Sequence, residues 1–339
     1  MSQDWSRYSR QMLFQPVGEK GQEMLSRAKV LIVGMGALGT VIANHFVRAG
    51  VGHVVFCDRD YVEKSNLQRQ LLFNEEDADQ LLPKAVAAER ALKKLNTSIK
   101  IEGHVTDIHA HNIESFMNDV NLIMDGTDNF RTRYLLNDVA YKFGVPFIYG
   151  GAVSSRGMNA VFIPGETPCL RCMFPTYDGA GQTCDTVGVL SPVVDIVASI
   201  QAIEGLKLLT ANKHALRSNL VTFDIWENDS FEMKLKEVHE HCPTCQLKQY
   251  PTLTEADSDH ITTLCGRETI QFLTNKGLNL SVWNERLRAV AEVKETPFLL
   301  RAHLQEGETL ILFPDGRVLI QGTEEIARAK SLFSKYIGM

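Results

Sequence analysis

The sequence predicts an α/β fold: a mainly parallel sheet with helices on both faces, an antiparallel extension, and a small C-terminal α+β unit. Three observations predict it. From Lys29 to about Ser154, apolar runs alternate with amphipathic stretches, the pattern of strands joined by crossover helices. Beyond Met158, three short runs read as strands able to pair antiparallel. A polar stretch bearing Pro251 then separates a last segment with strands and helices of its own.

Lys29–Gly34 (KVLIVG) is continuously apolar, as a strand buried on both faces must be. Ala37–Ala49 reads as a helix stopped by Gly50. His53–Asp58 is the next strand, and Pro83–Leu95 an amphipathic helix with proline at its start. Val120–Asp125 is a strand, Phe130–Phe143 a helix and Pro146–Tyr149 a strand. Met158–Ile163, Leu220–Ile225 and Phe231–Leu235 are the strands of the extension. The domain reading is 1–248 for the main unit, 249–260 for a linker and 261–339 for the tail. In the tail, helices are expected over Glu268–Lys276, Val282–Val290 and Glu324–Tyr336, with strands at Phe298–Leu304, Thr309–Phe313 and Arg317–Ile320. Asp315-Gly316 supplies the last hairpin turn.

The 339 residues carry a net charge of −6, with acidic and basic side chains interspersed. That argues against nucleic acid or an anionic membrane as partner. The N-terminus has no basic segment followed by an apolar run, so no secretory signal is expected. The apolar stretch Leu190–Leu209 contains Asp195, Gln201, Glu204 and Lys207 and reads as a buried or interface helix. A cytoplasmic location is the resulting expectation.

Gly34-Met-Gly36-Ala37-Leu-Gly39 follows a strand and opens a helix. Such glycines permit a tight turn, phosphate approach and close helix packing, with the helix N-terminus facing the anion, as in Rossmann-like folds. Asp58 ends the next strand, where an acid reaches a ribose hydroxyl. These features alone fit a nicotinamide-dependent (NAD) oxidoreductase as well. The segment Ser65-Asn66-Leu67-Gln68-Arg69-Gln70, just past Asp60, and Lys84 at the start of a helix add cations at the carboxyl edge of the sheet. Extra cations suit a triphosphate whose charge grows at the transferred group. Asp128, in Asp125-Gly-Thr-Asp128-Asn129, is an acid able to hold Mg2+ beside phosphate oxygens.

Seven cysteines include two C-x-x-C pairs, Cys169/Cys172 and Cys242/Cys245. Together they match a four-thiolate Zn2+ site of structural type, since a closed shell leaves no open position for catalysis. Redox motifs are the competing reading, but these pairs lack the expected thioredoxin-like setting. Cys57 sits inside a strand and reads as a small buried residue.

With these motifs in place, the sequence resembles the ThiF/MoeB/ubiquitin-activating superfamily over roughly Arg7 to Gln246. The resemblance rests on Arg7-Tyr-Ser-Arg10-Gln11, the glycine motif, Asp58-x-Asp60, Ser65 to Gln70, Pro83-Lys84, Thr127-Asp128-Asn129 and both cysteine pairs. It implies ATP-dependent adenylation of the C-terminal carboxylate of a ubiquitin-fold sulfur-carrier protein, in molybdopterin or thiamine biosynthesis. Asp58 would hold the ATP ribose, and Asn66, Arg69 and Lys84 the phosphates. Asp128 would coordinate Mg2+. Arg10 would reach the ATP of the other subunit of a homodimer. A cysteine desulfurase or another sulfur donor would be a further partner. Cys184 falls where relatives carry a thioester or persulfide cysteine, and a small residue in a crossover loop is the competing reading. The tail is too short for the rhodanese domain of some eukaryotic relatives, so Cys265 is not expected to be catalytic. An oxidoreductase and a non-enzymatic zinc scaffold remain as other functional classes. Between the two carriers the sequence leans slightly to the molybdopterin type.

Overall fold

The computed structural model describes residues 5–175, 187–235, 237–254, 261–264, 268–274 and 276–338. The chain divides into two compact units, one within residues 1–255 and one from Ala256 to Met339.

In the first unit five strands run parallel: β1 (Lys29–Val33), β2 (His53–Asp58), β3 (Lys100–Val105), β4 (Leu122–Asp125) and β5 (Phe147–Val153). Their spatial order is β3-β2-β1-β4-β5. The antiparallel strands β6 (Arg156–Phe162), β7 (Asn219–Asp224) and β8 (Asp229–Lys234) then extend the sheet. The chain order reverses between β1 and β4, which opens a crevice at the carboxyl edge where such sheets bind ligands. β1 is central and fully buried from Val30 to Val33, which explains its unbroken apolar sequence.

The helices of this unit are α1 (Ser9–Met12), α2 (Gly18–Arg27), α3 (Ala37–Ala49), α4 (Glu75–Asp79), α5 (Lys84–Leu95), α6 (Phe130–Phe143), α7 (Leu170–Met173), α8 (Ser191–Leu209) and α9 (Pro251–Thr254). They cover both faces. Leu31 and Val33 of β1 pack with Leu135, Leu136 and Val139 of α6. On the other face Gly205 of α8 lies close to Phe46 of α3 and Leu122 of β4. Gly50 and Gly144, at φ +81° and +70°, end α3 and α6 in the left-handed conformation that favours glycine. Within the stretch expected to be a linker, α9 forms a helical turn bonded to α6 through Thr252 and Asp138.

The second unit is an antiparallel sheet of β9 (Ile261–Leu264), β10 (Thr269–Leu273), β11 (Ala291–Glu295), β12 (Leu300–Leu304), β13 (Thr309–Leu312) and β14 (Arg317–Gln321), in the order β11-β12-β13-β14-β10-β9. The helices α10 (Leu280–Leu287) and α11 (Ile326–Tyr336) cover it. The helix expected over Glu268–Lys276 is instead β10. Alternate residues Ile270 and Phe272 enter the core, and Phe272 stacks on Phe333 with centroids 4.4 Å apart. Pairing on both sides, with β9 and β14, overrides the local pattern. No described helix is long and apolar enough to cross a membrane.

Candidate nucleotide and metal sites

Gly34 leaves β1 at φ +89°, a conformation that strains any side chain. A Cβ on Gly39 would lie 2.0 Å from the Gly34 carbonyl oxygen, and one on Gly126 would lie 2.3 Å from the same atom. The loops after β1 and β4 and the start of α3 therefore meet backbone to backbone. Gly36 precedes α3 with no side-chain cap, so the first amides of the helix remain available to an anion.

Asp58 closes β2 beneath this loop. Its Oδ2 accepts from the Met35 amide at 2.6 Å and its Oδ1 from the Asp60 amide at 2.7 Å. Burial pushes the Asp58 carboxyl above the usual range; Lys84 and these amides pull it down, while Asp60 pushes it further up. The Lys84 ammonium is buried and lies 3.3 Å from Asp60 Oδ2. Arg59 bridges to Asp107 at 3.0 Å and lies 3.8 Å from Asp60. Burial disfavours the Arg59 charge, yet Asp107, Asp60 and Asp128 together hold its guanidinium above its ordinary value. Asp128 thus acts on the same cluster. It is exposed, and its Oδ1 accepts from Asn129 Nδ2 at 3.3 Å.

Asn66 is buried, and its Oδ1 accepts from the Glu63 amide at 3.3 Å, closing the turn it sits in. Arg69 donates to the Ser65 carbonyl at 3.0 Å. Ser65 and Gln68 are exposed and Leu67 half-buried. Asn129 caps α6 by accepting from the Thr132 amide at 2.9 Å. Arg10, on α1, is exposed, and among the described residues no hydrogen bond or ion pair joins it to this cluster. Cys184 and Cys265 lie outside the described residues.

The second site is a sulfur cluster. Cys169 Sγ lies 3.5 Å from Cys242 Sγ and 3.9 Å from Cys172 Sγ, and Cys172 Sγ lies 3.5 Å from Cys245 Sγ. All four sulfurs lie within 4.8 Å of one another. Tetrahedral thiolates about 2.3 Å from a zinc ion stand about 3.8 Å apart, so the donor set fits that ion. Burial, and then the neighbouring sulfurs, raise the Cys169 thiol, so a cation is what would let four thiolates share this volume.

The ThiF family model matches residues 8–244, which take in the nucleotide-site residues and three of the four clustered cysteines. The chain belongs to the ThiF family. It is 44% identical over 336 residues to a Bacillus subtilis protein named sulfur carrier protein ThiS adenylyltransferase, covering 98% of this chain and 99% of that one. It is 37% identical over 250 residues to a Thermus thermophilus sulfur carrier protein adenylyltransferase, covering 72% of this chain and 91% of the relative. The crystal structure of E. coli MccB with ATP superposes with a TM-score of 0.63 at 21% identity, covering 71% of this chain and 75% of that one, and shows the shared fold.

Three groups beneath this ThiF-family crevice escaped the motif reading. Asp125 is fully buried, with Oδ2 accepting from Arg133 Nε at 2.9 Å and Oδ1 from the Thr127 amide at 2.9 Å and hydroxyl at 2.6 Å. Arg133 Nη2 also donates to the carbonyls of Thr127, at 2.9 Å, and Gly150, at 3.0 Å. Gln201 of α8 donates to the Asp125 carbonyl at 2.8 Å. Together they fix the turn that carries Asp128. A charged residue one turn into α6 after an acidic strand end was the available signal for Arg133. Gln70, the last letter of the Ser65 motif, has no role assigned to it by that motif. It is buried against the glycine loop, and among the described residues its Oε1 has no hydrogen-bond partner.

Proposed function

We propose that this chain uses ATP to adenylate the C-terminal carboxylate of a ubiquitin-fold sulfur carrier, releasing pyrophosphate. The observation that carries the reading is the 44% identity, across nearly both whole chains, to a protein named as the adenylyltransferase of the carrier ThiS. That match moves the choice of carrier from the molybdopterin type, to which the sequence leans, to the thiamine type. Family membership favours neither the oxidoreductase nor the inert scaffold.

The carrier's carboxylate is already a nucleophile, so the first step needs no protein nucleophile. It attacks the α-phosphorus and pyrophosphate leaves. Catalysis is then positioning and charge stabilisation. In this reading the loop Gly34–Gly39 and the α3 amides receive the phosphates, and Asp58 receives the ribose. Lys84 exchanges Asp60 for a phosphate, so Asp60 holds the lysine in place before ATP arrives. Asn66 and Arg69 meet the phosphates from the Ser65 turn. Asp128 would hold Mg2+, which would screen the charge building on the leaving pyrophosphate. Arg10 is exposed on its own chain, which supports its service to a partner copy in a homodimer. Cys169, Cys172, Cys242 and Cys245 would hold a structural Zn2+.

The test is ATP–pyrophosphate exchange with added carrier of each type. Exchange is expected with a ThiS-type carrier, and its absence with both would overturn the proposal. Arg69→Ala and Asp128→Ala are expected to abolish it. Cys184→Ala is expected to leave it intact, because sulfur handling follows adenylation.

A further inference from the structure

We infer that Asp138 is the positioning residue of the four-cysteine centre, a single buried carboxylate that ties both cysteine pairs together before any metal binds. This rests on reading the cysteines as zinc ligands.

Asp138 lies on α6 with no exposed surface. Its Oδ2 accepts from Arg171 Nη2 at 3.2 Å, and Arg171 stands between Cys169 and Cys172. Its Oδ1 accepts from the hydroxyl of Thr244, a fully buried residue between Cys242 and Cys245. Arg171 Nε also donates to Thr244 Oγ1 at 3.2 Å, closing a triangle between the two pairs. Oδ2 further accepts from the Thr252 amide at 3.0 Å and hydroxyl at 2.7 Å, which brings in α9. The preceding residue, Asn137, accepts from the Leu170 amide at 2.9 Å, in the first turn of α7.

An ionised carboxylate this deep costs several kcal/mol unless it is fully paired, and an apolar residue would fill the volume at lower cost. What the apolar residue would lack is the ability to join two segments 73 residues apart through the side chains interleaved with the ligands. Asp138 touches no sulfur. It acts through Arg171 and Thr244, holding the two pairs in register, so metal binding need not order them. Groups beyond the ligands that orient them are typically worth about 10–100-fold in metal affinity.

The experiment uses the full chain. Zinc content of the unaltered protein comes first; if it binds none, the zinc reading itself fails. Zinc affinity is then measured by competition with a chromophoric chelator, and ligand geometry by the absorption of the cobalt-substituted protein. Asp138→Asn keeps the shape and removes the charge. It is expected to weaken zinc binding about 10–100-fold and to alter the cobalt ligand-field bands. Thr244→Val cuts only the link to the second pair and is expected to weaken binding less, with no additive loss in the double variant. Should Asp138→Asn fail to fold, Thr244→Val decides alone. Affinity within threefold of the unaltered protein, with an unchanged cobalt spectrum, would overturn the inference whatever happens to the melting temperature.

Discussion

Arg133→Met tests whether the turn bearing Asp128 is held from below. Arg133 forms a buried pair with Asp125 at 2.9 Å and donates to two carbonyls, and methionine keeps the length but supplies no donor. Removing one partner of a buried pair leaves a lone charge and costs about 3–5 kcal/mol. For a unit of this size each kcal/mol lowers Tm by about 2–4 °C, so a fall of about 6–20 °C is expected. The loss has a pH signature. Burial already pushes the Asp125 carboxyl above the usual range, against the pull of Arg133 and Thr127. Without Arg133 it rises further. A carboxyl raised in the folded state contributes stability that is fully present below its unfolded value, near about 3.9, and is lost as pH rises through its folded value. The deficit of Arg133→Met is therefore larger at pH 8 than at pH 5. Adding Asp125→Leu removes the lone charge and should recover part of the loss. Urea melts of the unaltered protein and the two variants at both pH values measure this. A deficit below about 1 kcal/mol, or one that is the same at both pH values, would refute the clamp.

Gly39→Ala places a Cβ where 2.0 Å separates it from a carbonyl oxygen, so ATP binding measured calorimetrically should weaken at least about tenfold; unchanged affinity would show that the loop can yield. Lys84→Ala should abolish pyrophosphate exchange, whereas retained exchange would remove Lys84 from the phosphate site. Stripping the protein with a chelator should release one zinc per chain and lower its melting temperature, since binding to a site absent from the unfolded chain is folding free energy. An unchanged melting curve after stripping would make the cysteine cluster dispensable to the fold.

The glycine loop, β1, α3 and α6 were legible because their signals are local: an unbroken apolar run, a fixed glycine spacing, a glycine stop. β3 was not, because it is an edge strand with only Ile101 buried and Gly103 in its middle. There Gly103 is needed, since a Cβ would sit 2.6 Å from the Ala85 carbonyl oxygen. β10 read as a helix because a short apolar run does not distinguish the two states until its neighbours pair with it. The cysteine spacing forecast a cluster that the geometry brings together. The groups that support both sites stayed hidden for a different reason. Thr244 and Asp138 are 106 residues apart, and Gln201 and Asp125 are 76 apart, so no spacing rule connects them. Gln201 and Asp138 also lie on helices whose sequence explains itself as packing.

The meeting of Gly34, Gly39 and Gly126 around one carbonyl oxygen bears on how this chain can change over generations. Each position forbids a side chain because of backbone supplied by another, so no substitution at one is relieved by a substitution at the next. The floor of the crevice is closed to stepwise drift. If the proposed site is right, a lineage that alters which carrier or nucleotide is accepted would do so through side chains such as Asn66, Arg69, Gln70 and Asp128, above a backbone that stays the same.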